Sequence, residues 1–167
     1  MKKVLLMFML AAGFSAFGQK DSLPPPPYLR FPGVPPLQLL LGDSTTIYTK
    51  ADLRKKKPVV LMVFSPDCSH CQHQAEQIRD NSKALEGIQL VLATMDPLWK
   101  MNQFVERYQL RGLSNITVGR DIAYLLQAFY DFHSLPFHAL YNKKAELVQV
   151  VEGSMTIEKI IELTTKG

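Results

Sequence analysis

An unbroken apolar run, Val59 to Phe64, leads through Ser65-Pro66-Asp67 into Cys68-Ser69-His70-Cys71, which holds the only two cysteines of the chain. A β-branched and aromatic run of this length reads as a strand buried on both faces, and Pro66 ends it. Beyond it, Cys71, Ala75, Ile78, Ser82 and Leu85 recur at helical spacing as far as Gly87. That spacing predicts a helix beginning at the cysteines. The first turn of a helix has unpaired N–H groups and the positive end of the dipole, so it favours an anion. Cys68 is therefore expected to be an acidic, accessible nucleophile, and Cys71, one turn in, a buried resolving thiol. A bridge closing so small a loop stabilises little. It is suited to being opened and closed by thiol exchange.

The surrounding chain divides into three parts. Residues 1–18 carry Lys2 and Lys3, an apolar run and small residues up to Gly18, the pattern of a secretory signal peptide cleaved before Gln19. An uncleaved anchor is the alternative. Residues 19–36 include PPPPYLRFPGVPP, which reads as an extended lead-in that forms neither helix nor central strand. The remaining part, 37–167, reads as one domain, since about 150 residues after cleavage can bury an adequate core.

Within that domain, Leu37–Leu41 and Thr45–Thr49 form a predicted hairpin around Gly42-Asp43-Ser44. Ile88–Met95 is a second buried strand, after which Asp96 caps and Pro97 opens a helix with Met101, Phe104, Val105 and Tyr108 inward. Ile116–Val118 is a short strand, and Ile122, Leu125, Leu126 and Phe129 mark another helix. A hairpin, Phe137–Tyr141 with Glu146–Val151, precedes a last helix carrying Ile157, Ile160 and Ile161. Alternating units of this kind imply an α/β fold, a mixed sheet flanked by helices. The net charge is +4, falling to about +2 once the two N-terminal lysines leave, which gives no argument for nucleic acid or for an anionic membrane. No segment after the signal approaches the roughly 20 apolar residues of a membrane span, so no stable insertion is expected.

Three blocks, in this order, carry a resemblance: Val59 to Cys71, Tyr130-Asp131-Phe132-His133-Ser134-Leu135-Pro136-Phe137, and Gly153 before the final helix. The chain resembles the thioredoxin superfamily, and more narrowly its exported TlpA/ResA-like thiol:disulfide oxidoreductases, over residues 37 to 165. The resemblance implies a thioredoxin-like sheet with an N-terminal hairpin and an inserted helix-strand unit. It also implies that Pro136 is the family's cis-proline beside the dithiol. Leu135, Phe137 and Pro66 become substrate-binding positions, and the bacterial periplasm the expected location. No cofactor is implied beyond a redox-active disulfide Cys68–Cys71. Expected partners are exported protein thiols or disulfides and a redox partner that reloads the dithiol.

Two residues depart from that pattern. Met62 stands where thioredoxins keep a buried carboxylate near the resolving cysteine, so the Cys71 proton needs another acceptor, and Phe137 replaces a small hydroxyl residue. All four histidines adjoin the blocks. His70 is read as a catalytic residue, its charge favouring the Cys68 thiolate. His73, His133 and His138 are read as exposed polar positions, with a shared titrating cluster as the alternative, and Glu76 is a weak candidate for the proton of Cys71. Two other functions compete. One is a copper- or zinc-binding metallochaperone using the thiolates with histidine, although no metal ligand set is assigned. The other is a peroxiredoxin-like peroxidase, with Ser65 three residues before Cys68, but with Leu61 where that family has proline and with Cys71 too close to be its usual resolving cysteine.

Overall fold

In a computed structural model, which describes residues 24–165, the chain forms one seven-stranded mixed sheet covered on both faces. The signal segment and residues 19–23 lie outside the described residues. The strands are β1 (Gln38–Leu41), β2 (Ile47–Thr49), β3 (Val59–Val63), β4 (Gln89–Thr94), β5 (Ile116–Asp121), β6 (Phe137–Tyr141) and β7 (Leu147–Glu152). Their order across the sheet is β2-β1-β5-β4-β3-β6-β7. β3, β4 and β5 are mutually parallel, and every other pairing is antiparallel.

The helices are α1 (Pro27–Arg30), α2 (Ser69–Asp80), α3 (Leu98–Arg107), α4 (Leu125–Tyr130) and α5 (Ile157–Thr165). Alternation along β3 divides the core. Val60 and Met62 meet α2, α3 and α5, whereas Val59, Leu61 and Val63 meet α4 and the tyrosine of α1. Every residue of β3 is buried. The strand is thus held by β4 on one side, β6 on the other and a helical layer on each face.

Several sequence-based expectations shift in detail. α2 stops at Asp80 rather than running to Gly87, because the Asn81 side chain donates to the Gln77 carbonyl at 2.9 Å and Ser82 follows. Such residues satisfy the backbone locally and compete with helix. Leu85 still reaches the core from the turn that follows. Asp96 is not the cap of α3. Pro97 occupies that position without a side-chain bond, and the Asp96 N–H is taken by the Thr94 hydroxyl at 3.1 Å.

β5 is twice its expected length because β1 pairs along it, and Gly119 makes this possible: a Cβ there would lie 2.7 Å from that of Leu39. Asp121 at its end accepts from the N–H groups of Leu125 and Leu126, which starts α4 there and leaves Ile122 outside it, 41% exposed. The proline-rich lead-in does contain helix, the single turn α1 with Pro27 at its first position, where a missing N–H costs nothing. It lies on the domain: the Tyr28 and Tyr130 rings are 5.9 Å apart, and the Leu147 N–H donates to the Pro32 carbonyl at 2.8 Å.

His138 is the largest correction. Expected as an exposed polar position, it lies in β6 with no accessible surface, directly opposite Met62 on β3 and Val151 on β7. Burial pushes its pKa down to about 4, with the Gly153 backbone opposing weakly. In the unfolded chain the same imidazole titrates near 6.5, so between these values the unfolded state binds more protons. The stability that a neutral His138 supports is complete above that range and is lost as pH falls through it. Urea unfolding should therefore lose up to about 3 kcal/mol from this group on going from pH 7 to pH 4. His138→Leu should lack that part of the acid loss; an identical pH profile in the variant would place His138 in solvent.

Candidate active site

Backbone hydrogen bonds carry the chain from β3 to α2. The Phe64 N–H donates to the Ala93 carbonyl at 2.9 Å, extending the β3–β4 pairing, and the Cys68 N–H donates to the Ser65 carbonyl at 3.1 Å, closing the turn. Gln72 ties the turn to the helix by donating from Nε2 to the Pro66 carbonyl at 2.8 Å. Cys68 then takes the N-cap position of α2, where its sulfur accepts the Cys71 N–H at 3.4 Å. A cap normally supplies an oxygen here. In this chain a sulfur fills the role, and any negative charge it gains sits at the positive end of the helix.

The two thiols are free and unlike. Cys68 is half-buried, whereas Cys71 is 0% exposed among Met62, Phe64 and Ala75. Burial pushes the Cys71 thiol up to about 12, helped by its neighbour Cys68 and opposed by the Ser65 backbone.

The Leu135–Pro136 peptide is cis, and it brings the Leu135 carbonyl to 3.7 Å from the Cys68 sulfur, within reach of the S–H. Pro136 is held in turn by the Gly153 N–H, which donates to its carbonyl at 2.7 Å. Sequence-distant Cys68, Leu135, Pro136 and Gly153 thus adjoin. Phe137 does not belong to a substrate surface. Its side chain is 2% exposed and packs against Phe132 and Tyr130 on the face of the sheet away from Cys71, so it is core.

The histidines do not form one cluster. His70 is exposed on the first turn of α2. His73 faces Glu76 at 3.7 Å and Gln77 at 3.1 Å, and His133 faces Glu152 at 4.0 Å. Glu76 is exposed beside His73 and so points away from the buried thiol. Among the described residues no group of three or more His, Cys, Asp or Glu side chains converges as a metal site.

Beside the dithiol lies a feature the sequence reading passed over, a cleft of about 520 Å³ between the Pro66-Asp67 turn and α3. Trp99, 59% exposed, stands on its rim, and Lys100 crosses it to pair with Asp67. The available signal was a lone tryptophan set off the inward stripe of α3.

A second missed feature lies beneath the dithiol. Gln74 and His138 have no exposed surface, yet Gln74 Nε2 lacks a hydrogen-bond partner, and the His138 ring has the Gly153 backbone near it but outside hydrogen-bond geometry. Each such orphan costs about 1–3 kcal/mol relative to a satisfied or apolar group.

Comparison with known proteins places this arrangement. The fold matches a secreted Mycobacterium tuberculosis disulfide oxidoreductase homologous to E. coli DsbE, with 21% identity over 77% of this chain and 92% of that one, at a TM-score of 0.62. StoA from Bacillus subtilis matches with 19% identity over 80% of this chain and 100% of that one, at 0.63. A peroxiredoxin-like protein from Aquifex aeolicus matches with 17% identity over 78% and 85%, at 0.60. No curated protein sequence matches. These likenesses show a thioredoxin-like fold. The model of the AhpC/TSA family matches residues 34–153, which include the dithiol, the cis-proline turn and Gly153, and the chain belongs to that family.

Proposed function

We propose that this protein is a thiol:disulfide oxidoreductase that exchanges disulfides with exported protein substrates through Cys68 and Cys71. The observation that carries this reading is the Cys68 sulfur at the N-cap of α2, with the buried Cys71 donating its N–H to it. The Cys68 thiolate attacks one sulfur of a partner disulfide; the S–S bond breaks and the second partner sulfur leaves, taking a proton. Cys71 then gives up its proton and attacks Cys68. The Cys68–Cys71 bond forms, the bond to the partner breaks, and two electrons have passed from the dithiol to the partner. The oxidising direction runs through the same mixed disulfide in reverse.

The backbone of Leu135, close to Cys68, suits it to pair with an extended substrate segment, and Pro66 lines the cleft between its turn and α3. The apolar N-terminal segment supports export to the periplasm, and the secreted Mycobacterium tuberculosis oxidoreductase of the same fold supports it too. Family membership and the Aquifex aeolicus neighbour favour one second reading, a peroxidase in which Cys68 is oxidised by peroxide. The position of Cys71, buried against Cys68 within one helical turn, favours disulfide exchange.

Cys68→Ser should abolish reduction of insulin disulfides, and Cys71→Ser should trap mixed disulfides on Cys68. Adducts mapping to Cys71 would reverse the assignment, and fast peroxide consumption by Cys68 without disulfide exchange would favour the peroxidase.

His70 is proposed to favour the thiolate, and hence the reduced protein, through its charge. His70→Gln and His70→Pro should then both have a more negative reduction potential, by tens of millivolts at about 30 mV per 1.4 kcal/mol. Equilibration against glutathione measures this, and unchanged potentials in both variants would make His70 a spacer.

A further inference from the structure

The inward face of α2 is apolar at Cys71, Ala75 and Ile78. Gln74 lies on that same face and has no exposed surface. Its Oε1 accepts the Met155 N–H at 2.7 Å, while its Nε2 has no partner. A side chain placed there for packing alone would be apolar and would spare the unpaired donor its desolvation cost. The oxygen is what position 74 supplies.

Among the described residues, every other hydrogen bond of Ser69–Asp80 stays within α2 or reaches only the turns at its two ends. Apolar packing does the rest, and it is non-directional. Gln74 is thus the one directional tie between the body of the helix and another part of the fold.

The segment it grips also holds the turn beside Cys68. The Gly153 N–H donates to the Pro136 carbonyl at 2.7 Å, and Glu152 Oε1 accepts the His133 N–H at 3.1 Å. Both ends of the turn 133–136 are therefore fastened to residues 152 and 153. Leu135 lies within that turn, its carbonyl 3.7 Å from the Cys68 sulfur at the N-cap of α2. These contacts close a ring that runs from Cys68 along α2 to Gln74, across to Met155, back to Gly153, and across to Pro136 and Leu135.

One link of that ring is temporary. As a thiolate, or once joined to a partner sulfur, Cys68 has no S–H to give the Leu135 carbonyl. From then on the bond between Gln74 and Met155 is the polar tie that sets Leu135 relative to the nucleophile.

We propose that Gln74 is a positioning residue for the partner polypeptide: through Met155 and Gly153 it keeps the Leu135 backbone where an extended chain joined to Cys68 can pair with it. This rests on the dithiol-exchange reading above. A turn held in place beforehand need not be ordered by the partner, and that ordering cost is otherwise subtracted from affinity. Gln74 makes no hydrogen bond to either thiol, so its loss weakens binding and leaves the exchange step itself.

Reduced protein is mixed with excess insulin, quenched in acid and alkylated, and oxidation of Cys68 and Cys71 is followed by mass. The rate at increasing insulin gives a half-saturating concentration and a limiting rate. Gln74→Met keeps the length of the side chain but has no oxygen; it should raise half-saturation about tenfold and hold the limiting rate within about twofold. Gln74→Glu keeps an acceptor oxygen at the same reach, and its half-saturation should stay within about threefold of wild type. Half-saturation unchanged in Gln74→Met, raised equally in both variants, or accompanied by an equal fall in limiting rate would overturn the inference and leave Gln74 a packing residue. Gln74→Met decides by this split even if a buried carboxylate keeps Gln74→Glu from folding. If wild-type protein oxidises no dithiol with insulin at any concentration, the dithiol-exchange reading fails instead.

Discussion

The hydrogen bond from the Cys71 N–H to the Cys68 sulfur exists only because a strand fixed on all sides ends where a helix begins. β3 has neighbours on both edges and a helical layer on each face, so its C-terminal end has little freedom. The turn through Ser65, Pro66 and Asp67 then delivers Cys68 to the cap and Cys71 to the core. A helix terminus leaves N–H groups unpaired whatever the sequence. Here one of them is satisfied by a sulfur, at the end of the helix where the dipole favours negative charge. The second thiol, one turn further, loses its water and with it its acidity. Two chemically identical side chains three residues apart thereby acquire unlike environments.

The antiparallel neighbour on the other side of β3 completes the arrangement. β6 starts at Phe137, so the cis peptide before it falls level with the end of β3. The Gly153 N–H on the Pro136 carbonyl holds that turn from the last hairpin. Long-range pairing, rather than any local preference of residues 133–136, sets the Leu135 carbonyl beside Cys68.

Much of this was legible in the chain itself. The apolar run of β3, the helical spacing that follows it and the paired cysteines each have a local physical cause, and so do the terminal hairpin and helix. Element ends were harder. Asn81 stopping α2 and Asp121 starting α4 act through side-chain bonds that apolar spacing does not register. β5 outran its expected length because Gly119, a poor strand former alone, admits the Leu39 side chain of a strand distant in sequence. The cysteine pair was readable because its chemistry is local. His138 and Phe137 were not, since alternation in β6 only assigns them to opposite faces; the helices on both sides bury both, and that depends on the whole sheet. Trp99 likewise matters only once α3 is seen to flank the Pro66-Asp67 turn.

The unequal environment of the two thiols is most directly tested by titrating the ultraviolet absorbance of thiolates in the reduced protein, with Cys71→Ser as the assignment. The Cys71 thiol, pushed up to about 12 by burial, is expected to ionise in a step of its own that disappears in Cys71→Ser. A single step in which both sulfurs ionise together would contradict the placement of one thiol at the helix cap and the other in the core.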